Sequence, residues 1–289
     1  MREEYYMYGE TIREIRLKKG FSQKDVYGNI ISKSYAIEFE KGKHQISANI
    51  LMQILDNISM DIDEFMFISN GYQLNEQNNY NYIYNKLANN QDIKGLKHLL
   101  EDLQVKSGKL NGIRIAEVRS RIRLLEYFEE YGEYNTKVVL EADRHTILTY
   151  LIDVESWSLQ EIQLFTNTLE FLDSEIILVF FKRVSKLMER YVKLEKGREI
   201  YCVLLINLIE YTFKRQQYDY TEVLLTQLDL LSTDYKEFFH RTVYKFFSGL
   251  LLIKRGPEQE GRDLTQKMLQ IMRDLNQDSL AELYSQLVS

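Results

Sequence analysis

The chain has 289 residues, 45% hydrophobic and 28% charged with a net charge of −6, which fits a globular protein of one or two domains. One proline and thirteen glycines are too few for the turns of a β-rich or α/β fold, so an all-α protein is expected. A single cysteine excludes an internal disulfide and a cysteine-rich zinc site, and points to a reducing, cytoplasmic setting.

The first ten residues, MREEYYMYGE, are polar and lack the apolar core of a signal peptide. Tyr8, Ile12 and Ile15 then fall at i, i+4, i+7 and predict an amphipathic helix closed by Gly20. Ser22 caps a second, short helix from Gln23 to about Asn29, with Asp25 as the acid of a capping box. Ser32 caps a third helix, Lys33 to Lys41, stopped by Gly42. A fourth helix carries Ile50, Ile54 and Ile58 on one face, and residues 60–68 form a fifth with Ile62 and Phe65 inward. Two short helices joined by a tight turn inside such a bundle are a helix-turn-helix arrangement.

On the third helix, Ala36 and Phe39 share the inner side at 100° per residue, while Ser34, Glu38 and Lys41 share the outer one. Lys33, Ser34 and Tyr35 sit at its N-terminal end, the end that meets base edges in a major groove, although Tyr35 can equally pack. Arg13, Lys41 and Lys43 suit phosphates, as do Gln23 and Lys24 at the start of the second helix. Glu38 either accepts from a cytosine amino group or stands in solvent. Glu40 reads as structural, paired with Arg13 or Arg16 across the bundle, and His44 as a surface residue. Residues 13–43 hold eight basic and four acidic side chains, a surplus of four positive charges on a chain whose remainder carries −10. A basic head on an acidic body suits a DNA-binding regulator.

The run SQKDVYGNIISKSYAIEFEKGKHQIS (22–47) resembles the helix-turn-helix of the Cro/cI-type (XRE) family, with its Ser-Gln-Lys start and Glu-Lys-Gly end to the reading helix. It departs from that pattern in lacking the usual turn glycine and in a turn one residue short, with Ile30 and Ile31 running straight into Ser32. Followed by a long helical body, this variant resembles the Rgg/GadR/MutR regulators.

Residues 69–79 are polar and asparagine-rich and read as a linker, which gives domains at 1–68 and 80–289. Helical periodicity then predicts helices at 80–89, 92–106, 111–130, 133–153, 158–171, 174–195, 198–215, 219–231, 234–254 and 257–275. Pairs recurring roughly every 40 residues predict an α-solenoid of tetratricopeptide-like helix pairs, with an irregular helical bundle as the alternative. The inner helices of a solenoid line a concave groove suited to an extended peptide. Asn167 and Asn207 lie in apolar helices and can satisfy peptide amides; Arg144 and Arg183 can take a carboxylate; Tyr150 and Tyr211 can wall apolar side chains. The stretch YLIDVESWSLQEIQLF (150–165) resembles the ligand domain of Rgg-type regulators. That resemblance implies a homodimer controlled by a short signalling peptide of the pheromone, quorum-sensing kind.

No catalytic constellation stands out. The four histidines are scattered without metal spacing, phosphate and dinucleotide loops are lacking, and Cys202 sits in an apolar run as a packing residue. The longest apolar runs, 176–181 and 201–209, are too short to span a bilayer. The expectation is a cytoplasmic regulator, without cofactor, metal or membrane, that binds double-stranded DNA and a peptide. A peptide-independent repressor, or an adaptor whose solenoid holds a protein, is the alternative.

Overall fold

The computed structural model describes residues 8–133 and 135–288. The polar start at 1–7, and with it the reading of no signal peptide, lies outside the described residues, as do Tyr134 and Ser289. The chain forms two compact units, Met1–Asp92 and Ile93–Ser289. Among the described residues all regular structure is helical.

The N-terminal unit holds α1 (Tyr8–Lys18), α2 (Gln23–Tyr27), α3 (Lys33–Glu40), α4 (Ala48–Asn57), α5 (Ile62–Ser69) and α6 (Glu76–Asn89). Local chemistry sets most of the boundaries. Ser22 and Asp25 form the expected capping box, and the Ser32 and Ser47 hydroxyls accept the first free amides of α3 and α4. Gly20 and Gly42 stop α1 and α3 at φ of +74° and +73°. The core gathers Ile12, Val26, Ala36, Phe39, Ile54, Leu55 and Phe65. α1 crosses α3 so closely that a Cβ on Gly9 would lie 1.7 Å from the Phe39 carbonyl oxygen, so only glycine fits there.

The turn between α2 and α3 differs from the sequence expectation. α2 ends at Tyr27, two residues early, which leaves four residues, 28–31, before the Ser32 cap. Gly28 is in that turn, and a Cβ there would meet the Lys24 carbonyl oxygen at 2.4 Å. The left-handed position is taken by Asn29, at φ +65°, because asparagine tolerates this region better than most residues. The turn therefore contains a glycine, Gly28, while its left-handed position falls to Asn29. Helix α6 starts at Glu76, within the stretch read as a linker, and groups with the N-terminal unit.

The C-terminal unit contains α7 (Ile93–Gln104), α8 (Lys109–Tyr131), α9 (Glu141–Asp153), α10 (Leu159–Thr168), α11 (Ser174–Tyr191), α12 (Glu195–Lys214), α13 (Tyr218–Leu231), α14 (Phe238–Arg255), α15 (Glu258–Asp274) and α16 (Asp278–Ser285). Short 3-10 turns precede α9 and α14 and follow α10, so the single helix expected over 133–153 begins only at Glu141. α7 to α9 and α11 to α16 pack each on the next, and α10 and α14 also touch α12, the next-but-one contact of stacked helix pairs. This is the tetratricopeptide-like α-solenoid expected from the 40-residue period. One apolar core runs through it from Ile113 to Tyr284. α14 and α15 approach at Gly249 and Gly261, where a Cβ on Gly261 would sit 2.6 Å from the Gly249 carbonyl oxygen. No helix among the described residues is long and apolar enough to cross a membrane.

Candidate nucleic-acid interface and ligand sites

The acid at the end of α3 organises the head. Glu40, buried, accepts from Arg16 on α1 at 2.6 and 2.9 Å, and from Gln23 at 2.9 Å and the Tyr27 hydroxyl at 2.8 Å on α2. Burial alone would raise the Glu40 carboxyl, but the hydrogen bonds from Arg16, Gln23 and Tyr27 outweigh it and hold the group below the usual range. Burial and the same carboxylate push the Tyr27 phenol far up. The partner of Glu40 is thus Arg16. Arg13, one turn back, is exposed and makes no hydrogen bond or ion pair among the described residues.

The outer side of α3 is as the periodicity placed it: Ala36 and Phe39 are buried, while Lys33, Ser34, Tyr35, Lys41 and Lys43 are exposed. Ser34 shares a hydrogen bond with the capping Ser32 hydroxyl at 3.2 Å, and Lys33 and Lys24 make no hydrogen bond or ion pair among the described residues. Tyr35 is braced: its ring stacks on His44 at 4.9 Å and its hydroxyl donates to the Gln45 carbonyl at 2.8 Å. It supports the loop after α3 while staying 37% exposed. Lys41 and Lys43 both reach Glu38, at 2.9 and 3.0 Å, and hydrogen bonds from these lysines pull its carboxyl below the usual range. Gln23 commits one of its two amide N–H groups to Glu40.

The six residues singled out in the repeat region spread over α9 to α12, and each one's polar group already has a partner in the protein. Arg144 donates to the carbonyls of Phe171 and Thr136. Tyr150 is buried, with its hydroxyl on Glu161 at 2.5 Å. Asn167 donates to Glu117 at 2.8 Å, and Asn207 donates to the Thr166 carbonyl at 3.1 Å. Tyr211 bonds Ser174 at 2.8 Å under the Arg215 guanidinium. Arg183 donates to the Val154 and Glu155 carbonyls past the end of α9 and lies 4.9 Å over the Trp157 ring.

Of these, only Arg183 borders the cavity of about 530 Å³ found between the 155–157 loop and α11. Its wall also carries Lys182, Lys186 and Arg190, beside Val179 and Leu187. A second grouping, invisible in the sequence, joins Cys202, Glu237 and His240, whose candidate ligand atoms lie within 4.8 Å of one another. Arg198 holds Glu237 at 3.0 Å and His240 meets it at 2.5 Å, so the carboxylate is already balanced by cationic and hydrogen-bonding partners. Burial pushes the Cys202 thiol up to about 12, which keeps it neutral and a poor metal ligand or nucleophile.

Comparison with known proteins places this architecture. The family model for the C-terminal domain of the HTH-type transcriptional regulator Rgg matches residues 97–286. A protein from Listeria monocytogenes EGD-e described as a transcriptional regulator is similar over 98% of this chain and 96% of its own, at 29% identity and a TM-score of 0.86. The Streptococcus dysgalactiae SHP pheromone receptor Rgg2 is similar over 96% of this chain and 97% of its own, at 23% identity and a TM-score of 0.72. PrgX, in its complex with cCF10, shares the fold over 98% of each chain at 13% identity and a TM-score of 0.71.

Proposed function

The chain belongs to the Rgg family of helix-turn-helix transcriptional regulators, and from that premise we propose that its N-terminal unit binds operator DNA and that a short signalling peptide held by its C-terminal unit controls it. The observation that carries the DNA half is the outer side of α3: Lys33 and Ser34 stand exposed beyond the Ser32 cap, on a helix whose inner side is locked by Ala36, Phe39 and Glu40. Lys33, Ser34 and the Tyr35 ring edge face bases in this reading. Arg13, Lys24, Lys41 and Lys43 lie against phosphates, with the second amide N–H of Gln23 beside them. The 1–68 segment is the DNA-binding domain and the repeats form the ligand and dimer domain.

The peptide half is supported by fold likeness to the SHP pheromone receptor Rgg2 and to PrgX with cCF10. As a cytoplasmic homodimer the protein meets a two-fold operator with half-sites about 34–36 Å apart, or a multiple of that. A peptide that binds one arrangement of the two heads better than another shifts the population toward it, and operator affinity changes with it. Replacing Lys33 and Ser34 together by alanine is expected to abolish operator-specific binding while dimer mass by light scattering is unchanged. An unaltered gel-shift affinity for the operator would remove the DNA assignment.

A further inference from the structure

The outer side of α3 carries one apolar residue, Ile37, among polar ones. It is half-buried, yet it takes no part in the apolar core of the head. The other half-buried isoleucines of the bundle, Ile30, Ile31, Ile46, Ile50, Ile62 and Ile68, all pack against that core. Its helix neighbours at i−4, i−3 and i+4 are Lys33, Ser34 and Lys41, each of them exposed. At 100° per residue Ile37 falls about 40° from Lys33 on one side and about 40° from Lys41 on the other. Local propensity does not call for it, because isoleucine is a weaker helix former than the leucine, lysine or glutamine that such a position admits.

A lone apolar side chain in a polar strip matches a partner that shows one apolar group within a polar surface. The major groove is such a surface. Each base pair presents donors and acceptors there, and thymine alone adds a methyl group, on C5. The flanking charges fit the same picture. Lys41 is held by Glu38 at 2.9 Å, on the far side of the strip from Ile37. Lys33 makes no hydrogen bond or ion pair among the described residues and is left to donate to a neighbouring base edge. We propose that Ile37 is a specificity-determining residue of α3, its side chain packing on the C5 methyl of one thymine in each operator half-site.

This rests on the DNA reading above. A protein partner fits less well: a protein interface needs a contiguous apolar patch, whereas Lys33, Ser34, Glu38 and Lys41 surround Ile37 on this side of the helix.

The test begins with selection of duplexes with a random core on the purified full chain, and alignment of the enriched sequences. The wild type is expected to fix a T·A pair at one position of each half-site. Deoxyuridine in place of that thymidine removes only the methyl group and needs no protein variant. It is expected to weaken gel-shift binding about fourfold per half-site, the worth of one buried methyl. Ile37→Ala removes no core contact, and is expected to bind the thymidine and deoxyuridine duplexes equally while selecting the same consensus at the other positions. A consensus without thymine, deoxyuridine tolerated at every consensus thymidine, or the same loss in Ile37→Ala as in the wild type, overturns the thymine contact and leaves the DNA reading standing. A library from which the wild type enriches no sequence overturns both.

Discussion

Two basic helix edges differ in how their charge is managed. On α3 a single acid, Glu38, collects Lys41 and Lys43 at 2.9 and 3.0 Å, so part of the positive field on the proposed DNA-facing side is neutralised from within the helix. On α11 the cations at 182, 186 and 190 carry no such partner among the described residues. A surface that must meet a polyanion gains long-range attraction from every charge, and damping it shifts the balance from phosphate attraction toward base contacts. The two edges thus differ in whether an acid is engaged: Glu38 is paired with its lysines, whereas Glu189, three residues from Lys186, makes no ion pair with it.

The largest expected effect lies beneath the α3 edge. Glu40→Ala removes the common acceptor of Arg16, Gln23 and Tyr27 and leaves a buried guanidinium unpaired, a loss of about 3–5 kcal/mol. Hydrogen exchange should accelerate throughout 8–69 in that variant; protection equal to wild type would show that the inner side of α3 holds without its ion pair. The pH dependence has a definite sign. A carboxyl held below its ordinary value gives stability that is complete above its unfolded pKa, roughly 4.3, and is lost as pH falls through the folded one. The head of the wild type should loosen in acid below that point, and Glu40→Gln should flatten the profile.

Next in size is Glu38→Gln, which frees Lys41 and Lys43 and removes a charge that repels phosphates. Binding to duplexes of any sequence should tighten, with the salt slope steeper by about one unit. Weakening confined to operators with a particular base pair would instead make Glu38 a reader of cytosine. The smallest effect is expected on α11. Lys186→Gln relieves two like-charge contacts and should leave the melting midpoint unchanged or raise it slightly, by the equivalent of about 0.2–0.5 kcal/mol. A clear drop in midpoint would mean that Lys186 has a structural partner and that the two edges are alike after all.

Features governed by neighbours in sequence were legible without coordinates. The Ser22–Asp25 box, the Ser32 cap, the Gly20 and Gly42 stops and the inner side of α3 depend on residues within one turn. So do most repeat helices, whose core faces follow a 3.6-residue period. Partner choice across the fold was not legible. Arg13 and Arg16 lie on one helix three residues apart, and only the rotation of α1 against α3 selects Arg16 for Glu40. An asparagine in an apolar helix announces a buried amide, but not that the Thr166 carbonyl, 41 residues away, accepts from Asn207. The end of α2 was missed because Tyr27, Gly28 and Asn29 continue the helical pattern until the left-handed turn at Asn29 breaks it. The Lys182, Lys186, Arg190 spacing was readable, yet only the cavity beside it distinguishes it from an ordinary solvated face.

Glu40 ties three helices through one carboxylate while Gly9 lets the first of them lie directly on the backbone of the third. Such a joint has no slack. A tilt imposed on α1 turns α3 through the same angle, since any slip between them would strand Arg16 or drive α1 into the Phe39 carbonyl. The head therefore behaves as a solid block, and on the proposed function it can be aimed at an operator or away from it but not reshaped to read a different one.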